Sequence, residues 1–340
     1  MNIVITGGAG FLGARLARQL LERGQLSLAG SAPQTIRGIT LVDRVAPPAQ
    51  LIGDSRIRLV IGDLNQLLEE NKAAAPVVHA EDAIIFHLAA AVSGECEADF
   101  DLGMRSNLDA TLALLQACRA LGTAPTVVFA SSLAVFGNSP EQPLPPVIDD
   151  RTLPTPQNSY GIQKFIGEQL VADYARKGFI RARNVRLMTV SVRPGKPNAA
   201  ASSFLSGMIR EPLAGLKGSC PVPPDTAVAL SSPGRTVDGL LRAAEASDAE
   251  WGARTAVNLP ALKTTVGEMA AALERVAGKA VAELIDWTPD PVIAKIVTSW
   301  PATIDAARAR TLGLLPDSDF ASIIGAYLSE NPRTPAPSPP

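Results

Sequence analysis

The chain has 340 residues, of which 46% are hydrophobic and 19% charged, so we expect one large or two unequal globular units. Its 31 Lys and Arg against 33 Asp and Glu give a net charge of −2, which argues against nucleic acid as a partner. The three cysteines are widely spaced, there are two histidines, and the sequence shows neither a signal peptide nor a long apolar run. We therefore expect a cytoplasmic protein with no membrane contact, no disulfide framework and no histidine-rich metal site.

The first half of the chain alternates apolar stretches with amphipathic ones. Strands are predicted at residues 2–6, 38–43, 57–61, 83–88, 126–131 and 184–192. Helices are predicted at residues 11–23, 98–121 and 159–177. Near-continuously apolar strands that alternate with helices are typical of parallel βαβ units with both sheet faces covered. The predicted class is α/β, with a doubly wound parallel sheet of the Rossmann type.

The second half is a patchwork of shorter elements behind proline-rich breaks. Helices are predicted at residues 266–276 and 319–328, and a strand at 283–287. We predict a dinucleotide-binding domain over residues 1–192, to which later segments return, and a smaller α/β lobe over 193–330 that mainly binds substrate. Residues 331–340 are rich in proline and are predicted to form a flexible tail.

A glycine-rich turn, TGGAGFLG, lies between the first strand and the first helix, at residues 6–13. Glycines in this position permit a tight turn and close approach of the backbone to a pyrophosphate, and the helix N-terminus attracts the phosphate charge. We predict that Gly7, Gly10, Phe11, Leu12 and Gly13 bind a dinucleotide. A flavin site or a purely structural turn would show the same glycines.

Two acidic residues extend this prediction along the sheet edge. Asp43 ends the second predicted strand, where a carboxylate accepts hydrogen bonds from the adenosine ribose and repels a 2′-phosphate, which favours NAD over NADP. The adjacent Arg44 leaves NADP open as an alternative. Asp63 and Leu64 follow the third strand and are predicted near the adenine, although a plain turn explains an aspartate there almost as well.

The residues predicted to carry the chemistry are Tyr160 and Lys164, which one helical turn places on the same face. A tyrosine has an ordinary pKa of about 10, and a nearby ammonium together with a cationic nicotinamide would stabilise its phenolate as a base. Ser132, or the adjacent Ser131, leaves the fifth strand at the edge where ligands bind. Asn107 is a poor residue for a helix interior and is predicted to support the site through a water or a backbone carbonyl.

Together, TGGAGFLG, Asp43, HLAAA at residues 87–91, SSLAVFG at 131–137 and YGIQK at 160–164 resemble the extended short-chain dehydrogenase/reductase family, the NAD-dependent epimerase/dehydratase-like enzymes. The resemblance implies NAD as cofactor, a catalytic Ser132, Tyr160 and Lys164 supported by Asn107, and cofactor contacts at Leu88, Ala89 and Ala90 as well as at Tyr160 and Lys164. It also implies a homodimer, paired through the helices predicted at 98–121 and 159–177.

Two departures from the family pattern limit the reaction. Phe136 stands where the family usually has a tyrosine, and Leu133-Ala134 replace the Asp-Glu pair of nucleotide-sugar dehydratases. Dehydratase chemistry is therefore not expected.

The segment SVRPGKPNAAASS, residues 191–203, follows the last predicted strand and carries Arg193 and Asn198. A guanidinium suits the capture of a carboxylate, so a small hydroxylated acid is favoured over a large sugar nucleotide. Residues 92–103, 191–204, 210–215, 220–226 and 257–260 resemble a branch of the family that oxidises the C2 hydroxyl of a four-carbon sugar acid, D-erythronate.

In that branch Arg193, with Asn198 or Ser93, would hold the carboxylate or the distal hydroxyls. Three alternatives remain open: a nucleotide-sugar 4-epimerase, a related uronate or aldonate dehydrogenase, and a protein that senses NAD(H) without catalysis.

Overall fold

The structure is a computed structural model that describes residues 1–69, 77–195 and 199–331. Its strands are β1 (Asn2–Thr6), β2 (Gln25–Leu26), β3 (Gln34–Thr35), β4 (Gly38–Asp43), β5 (Ile57–Ile61), β6 (Asp82–His87), β7 (Thr126–Ser132), β8 (Arg181–Leu187), β9 (Thr189–Val190), β10 (Gly218–Cys220), β11 (Ala227–Ser231), β12 (Val257–Asn258), β13 (Leu262–Thr265) and β14 (Ile285–Trp287).

The α-helices connect and cover these strands. They are α1 (Phe11–Arg23), α2 (Ala49–Ile52), α3 (Leu64–Glu69), α4 (Ser93–Ala98), α5 (Phe100–Gly103), α6 (Ala110–Leu121), α7 (Ser159–Arg176), α8 (Phe204–Leu213), α9 (Pro233–Glu245), α10 (Asp248–Trp251), α11 (Val266–Ala277), α12 (Lys279–Ala282), α13 (Pro291–Thr298), α14 (Ala307–Thr311) and α15 (Phe320–Glu330).

The central sheet is parallel and, in the described part of the chain, has seven strands in the order β12-β8-β7-β6-β1-β4-β5. The chain runs outward from β1 in one direction through β4 and β5, and in the other through β6, β7 and β8. This reversal leaves a crevice at the carboxyl ends of β1 and β6, where doubly wound sheets bind ligands. The predicted α/β fold with a doubly wound parallel sheet is confirmed.

Both faces of this sheet are buried, as the apolar strand sequences predict. Ile3 and Ile5 of β1 point into one core together with Leu16 of α1 and Leu240 of α9. Val4 points to the opposite face, into a second core formed with α6 and α7. Since side chains alternate across a strand, a strand that is apolar at every position requires helices on both sides.

The single helix predicted at residues 98–121 is wrong. Asp99 has extended backbone angles (φ −139°, ψ 95°) and its carboxylate accepts a hydrogen bond from the Leu102 backbone N–H, so it caps a new helix instead of continuing one. The segment is divided into α4, α5, a π-helical turn over Met104–Asp109, and α6. Apolar residues recur at helical spacing through this segment, so the sequence pattern does not show that Asp99 caps a new helix.

The strand predicted at residues 184–192 is also wrong in its bounds. β8 begins at Arg181 and ends at Leu187, and β9 then pairs with β11 in a separate sheet. The sequence did not reveal the start of β8 because that part of the strand is charged. The Arg183 side chain is nevertheless buried, and it donates hydrogen bonds to the carbonyls of Ala243 and Ala246. These hydrogen bonds allow a charged side chain to occupy a buried strand position where the sequence pattern leads one to expect an apolar residue.

The C-terminal half builds a third core from α8, α11 and α15, below a small sheet in the order β13-β11-β9. β12 returns to the edge of the central sheet beside β8. The division at residue 192 stays a prediction. Of the predicted tail, all but Asn331 lies outside the described residues. The three cysteines are free thiols, and no helix in the described ranges is long and apolar enough to cross a membrane.

Candidate active site

Two neighbouring cavities open at the crevice beside β1 and β6, and Gly7, Gly10, Leu88 and Ala90 line both. The catalytic cavity, about 290 Å³, also contains these predicted residues: Phe11, Leu12, Gly13, Ser93, Ser132, Tyr160, Lys164 and Arg193. The nucleotide cavity, about 360 Å³, also contains these: Asp43, Asp63, Leu64 and Ala89. Asn107 lines neither cavity, and Asn198 lies outside the described residues.

The glycine turn is shaped to leave its backbone open between the two cavities. Gly7 has φ +71°, and a Cβ there would lie 2.8 Å from the Ala89 backbone nitrogen. A Cβ on Gly13 would lie only 2.1 Å from the Gly7 carbonyl oxygen. At Gly10 a Cβ would meet only that same oxygen, at 3.2 Å, within the described structure. The turn packs tightly on the protein side and is open at Gly10, which fits a pyrophosphate that bridges the cavities.

The N-terminus of α1 adds electrostatic attraction at the same point. Gly10 is the N-cap and has no side chain to accept a hydrogen bond, and the first turn carries no acidic residue. The helix N-terminus therefore adds the positive end of its dipole and free N–H groups beside the cavities. This arrangement fits a bound phosphate anion.

Asp43 lines the nucleotide cavity, whose lining residues do not include Ser132, Tyr160 or Lys164. Its carboxylate accepts hydrogen bonds from the backbone N–H of Ala9 at 2.9 Å and of Arg44 at 2.7 Å. These bonds fix the carboxylate while leaving lone pairs for ribose hydroxyls. The long interval between Gly13 and Asp43 is taken up by the β2–β3 hairpin.

The structure brings Ser132, Tyr160 and Lys164 together in the catalytic cavity. Ser132 ends β7, and its hydroxyl lies close enough to the Tyr160 phenol to lower the pKa of that group. Lys164 is 3% exposed; its ammonium donates to the Ala130 carbonyl oxygen at 2.9 Å and lies 5.7 Å from the Tyr160 ring centroid. The lysine is thus held beside the tyrosine by the strand that carries the serine.

The protein groups around Tyr160 do not lower its pKa on balance, whereas the sequence analysis expected a nearby ammonium to help lower it. Burial raises the pKa of Tyr160 to about 12, although the hydrogen bond from Ser132 and the charge of Arg193 oppose this. Burial also lowers the pKa of Lys164 to about 8. Desolvation outweighs these two opposing contributions, so the groups of the chain by themselves keep the pKa of Tyr160 above neutrality.

Asn107 lies inside the π-helical turn. It does not line the catalytic cavity, but it contacts residues adjacent in sequence to those that do. Its side chain accepts from the Ala91 backbone N–H at 2.7 Å and donates to the Ala91 carbonyl oxygen at 3.2 Å and to Gln163 Oε1 at 2.8 Å. It therefore ties the loop after β6 to α7, next to Lys164. The backbone carbonyl that Asn107 contacts belongs to Ala91, whereas the ammonium of Lys164 donates to the carbonyl of Ala130.

A buried ionic network beneath the cavity escaped the sequence analysis. Glu168, one turn after Lys164, accepts a hydrogen bond from the Ser131 hydroxyl at 2.5 Å. It also accepts two from Arg186, at 2.8 Å and 2.7 Å, and is 2% exposed. Ser131 is thus the structural member of the serine pair, and the network joins α7 to β7 and β8. In the sequence the network appears only as a glutamate in a helix and an arginine in a strand, residue types that usually lie at the surface.

This network gives a stability prediction. Glu168→Gln leaves the Arg186 charge buried without a counter-ion, so the free energy of unfolding is expected to fall by about 3–5 kcal/mol. Urea denaturation followed by circular dichroism measures it. The exposed pair Lys279–Glu283 provides the matched control, since Glu283→Gln should leave the midpoint nearly unchanged. Equal midpoints for the two variants would show that the buried pair is not a stabilising link.

The predicted substrate segment packs directly on α4. The Ala201 backbone N–H donates to the Ser93 hydroxyl at 3.2 Å, and a Cβ on Gly94 would lie 2.0 Å from the Ala199 carbonyl oxygen. Arg193 lines the catalytic cavity, and its backbone N–H donates to the Ser206 hydroxyl. Among the described residues, no hydrogen-bond acceptor or carboxylate pairs with its guanidinium, which leaves a half-buried cation at the cavity.

Comparison with known proteins gives the family. The model of the NAD dependent epimerase/dehydratase family matches residues 3–227, more than half of the chain. The chain belongs to this family. The resemblance to extended short-chain dehydrogenase/reductase enzymes is confirmed, and the protein is an NAD-dependent oxidoreductase with NAD as its cofactor.

Individual members of the family match over nearly the whole chain. D-erythronate dehydrogenase of Cupriavidus necator is 51% identical over 330 residues, covering 97% of this chain and 98% of its own. D-erythronate dehydrogenase of Haemophilus influenzae is 40% identical over 328 residues, covering 96% and 99%. A solved structure described as a nucleoside-diphosphate-sugar epimerase from Agrobacterium tumefaciens is 40% identical, with a TM-score of 0.85 and coverage of 97% and 94%.

Proposed function

We propose that this member of the family oxidises the C2 hydroxyl of a four-carbon sugar acid, D-erythronate, to 2-oxo-erythronate. The observation that carries the proposal is the half-buried guanidinium of Arg193, which has no partner among the described residues and lines the same cavity as Ser132 and Tyr160. A cation in that position suits a substrate with a carboxylate next to the reacting carbinol. The identity to two D-erythronate dehydrogenases over nearly their full lengths supports the same substrate.

In the proposed mechanism Arg193 holds the substrate carboxylate and Ser132 donates a hydrogen bond to the C2 oxygen. When bound, NAD supplies the hydride acceptor and a positive charge beside Tyr160. The Tyr160 phenolate takes the proton of the C2 hydroxyl as the C2–H bond breaks, and the oxygen forms the new carbonyl. Lys164, fixed by the Ala130 carbonyl, stabilises the phenolate electrostatically. The tyrosine proton then passes to solvent.

The test is a panel of three- to six-carbon aldonic and uronic acids, with UDP-glucose as a further member, assayed for NADH by absorbance. We expect NADH to accumulate in proportion to consumed D-erythronate. Conversion of UDP-glucose to its 4-epimer without free NADH would replace the proposal with the epimerase. Turnover of a longer aldonate or a uronate, but not of D-erythronate, would assign the related dehydrogenase, and no turnover would leave the NAD(H)-sensing protein.

The pH dependence follows from the raised pKa of Tyr160. Because the active base is the deprotonated form and burial raises the pKa of Tyr160, the fraction of phenolate grows with pH, by about tenfold per unit wherever the pH lies below the pKa. We expect kcat/KM for D-erythronate oxidation to rise steadily from pH 6 upward. Initial rates at saturating NAD measure this profile, and a rate that is flat or falls between pH 6 and 8 would contradict the role of Tyr160.

We propose that the enzyme is a homodimer. Phe100, Ile162 and Ile166 are exposed apolar side chains on or beside α7, at 60%, 46% and 37%, and contiguous apolar surface favours association. Light scattering at micromolar concentration should give twice the monomer mass of 35.5 kDa, and Ile166→Glu should shift it toward the monomer. A monomeric wild-type mass would refute the dimer.

A further inference from the structure

Arg193 is anchored through its backbone, and the two side chains that anchor it lie on α8. The Arg193 backbone N–H donates to the Ser206 hydroxyl at 3.0 Å, and the Arg193 carbonyl accepts from Arg210 Nη1 at 2.8 Å. Ser206 and Arg210 are four residues apart, so they lie on the same face of the helix. We call this pair the α8 clamp. It bonds both peptide groups that flank the Arg193 Cα.

Holding both peptide groups fixes the direction in which the Arg193 side chain leaves the backbone, because each peptide group is planar and rigid. Two residues earlier, the Ser191 hydroxyl donates to the Leu205 carbonyl at 2.9 Å, which ties the approaching chain to the same helix. Arg193 itself lies between β9 and α8, outside both elements. The clamp therefore supplies the anchoring that strand hydrogen bonds give to residues within a sheet.

The helix that carries the clamp is itself fixed by the core of the C-terminal half. Leu205, Met208, Ile209 and Leu213 of α8 are buried in that core. Because core side chains are close-packed, the helix cannot shift without disturbing its neighbours. The place of Arg193 at the catalytic cavity is thus set by the packing of the second half of the chain.

The two arginines differ in what is left for them to bind. Arg210 is 9% exposed, and its Nη2 donates to Glu211 Oε1, so its charge has a counter-ion within the chain. Burial, and next the charge of Arg210, lower the pKa of Arg193, so the two cations lie near each other. The Arg193 guanidinium lines the catalytic cavity and has no partner in the described part of the chain. Of the two charges, that of Arg193 is therefore the one available to a ligand.

We propose that Ser206 and Arg210 are positioning residues for the reaction: they hold Arg193 where its guanidinium meets the carboxylate of the acid. The proposal rests on the proposed sugar-acid dehydrogenase function, in which Arg193 binds that carboxylate. Neither Ser206 nor Arg210 is among the residues that line the catalytic cavity, so both act through Arg193. Loss of either hydrogen bond lets the guanidinium adopt other positions, and the substrate carboxylate is then bound less tightly.

Two variants each remove one side of the clamp. Ser206→Ala removes the acceptor for the Arg193 N–H without changing any charge, and Arg210→Met removes the donor to the Arg193 carbonyl. Each should raise KM for D-erythronate about tenfold, the effect of one hydrogen bond, with kcat within about threefold and NADH affinity unchanged. Arg242→Met is the matched control. Arg242 also donates to a backbone carbonyl, that of Leu312, and pairs with a glutamate, but it does not line the cavity. This variant should leave KM unchanged.

An Arg193→Met background separates a positioning role from a merely structural one. Arg193→Met alone should lower kcat/KM about 100-fold, since it removes the partner of the carboxylate. Adding Ser206→Ala or Arg210→Met to it should change kcat/KM less than twofold, because the side chain that they position is gone. If the second substitution still lowers kcat/KM about tenfold in that background, or if neither single variant raises KM, the positioning role is overturned while the proposed function stands.

Melting temperatures are measured for every variant, so that a folding defect in Arg210→Met is recognised and Ser206→Ala, the smaller change, decides. Wild-type kcat/KM in Arg193→Met would show that Arg193 does not bind the carboxylate, which overturns the positioning role together with the observation behind the proposed function. If the wild type oxidises a longer acid of the panel and not D-erythronate, the proposed substrate fails. The same set of single and double variants, assayed on that acid, then decides the role of the clamp.

Discussion

Tyr160→Phe is expected to lower kcat for D-erythronate oxidation about 10³-fold, while the affinity for NADH and the melting temperature stay close to the wild type. The substitution removes one oxygen, the proposed base, from a ring that keeps its place in the catalytic cavity. Loss of a positioned proton acceptor typically costs two to four orders of magnitude in rate. Stopped-flow absorbance of NADH measures the rate, and fluorescence titration measures NADH binding.

A second tyrosine on the same helix gives a matched control for this result. Tyr174 lies on α7, packs edge-on against Phe179, and is not among the residues that line the catalytic cavity. Tyr174→Phe should therefore retain full activity. Substantial activity in Tyr160→Phe, within tenfold of the wild type, would mean that another group takes the proton.

Gly13→Ala is expected to weaken NADH binding at least 100-fold and to destabilise the protein. A Cβ at this position would lie 2.1 Å from the Gly7 carbonyl oxygen and 2.8 Å from the Gly8 Cα, distances that no side-chain movement relieves because both contacts are backbone atoms. Either the glycine turn moves away from α1 or the helix tilts, and both disrupt the turn that the pyrophosphate requires.

Gly325→Ala tests whether this effect is local to the turn. Gly325 is also inside a helix, α15, and a Cβ there meets no atom of the described residues within 4 Å. Alanine is the better helix former by about 1 kcal/mol, so this variant should be equally or more stable and bind NADH normally. NADH titration and thermal melts of both variants provide the comparison. Normal NADH binding by Gly13→Ala would contradict the assignment of the turn.

Much of the fold follows from burial patterns that the sequence displays directly. β1, β4 and β5 are short apolar runs with sharp ends, and their predicted bounds agree with the structure. The glycine turn was recognisable for the same local reason, since its residues are contiguous. Ser132, Tyr160 and Lys164 could be proposed as a group because parallel strands end at one edge of the sheet.

The remainder depends on contacts between distant parts of the chain. Glu168 and Arg186 belong to residue types that usually lie at the surface, but each is buried because the other neutralises it. Trp300 reaches the cavity from the C-terminal half, and only the packing of two cores brings it there. Asp99 divides the predicted long helix through a cap that apolar periodicity does not reveal.

The most direct measurement is the fate of the hydrogen on the substrate's C2. D-Erythronate carrying deuterium at C2 is incubated with NAD and the enzyme, and the nicotinamide product is examined by mass spectrometry. Oxidation at C2 with direct hydride transfer predicts NADH that carries one deuterium at C4 of its ring, together with unlabelled 2-oxo-erythronate. Unlabelled NADH, or a product that retains its deuterium at C2, would contradict hydride transfer from that carbon.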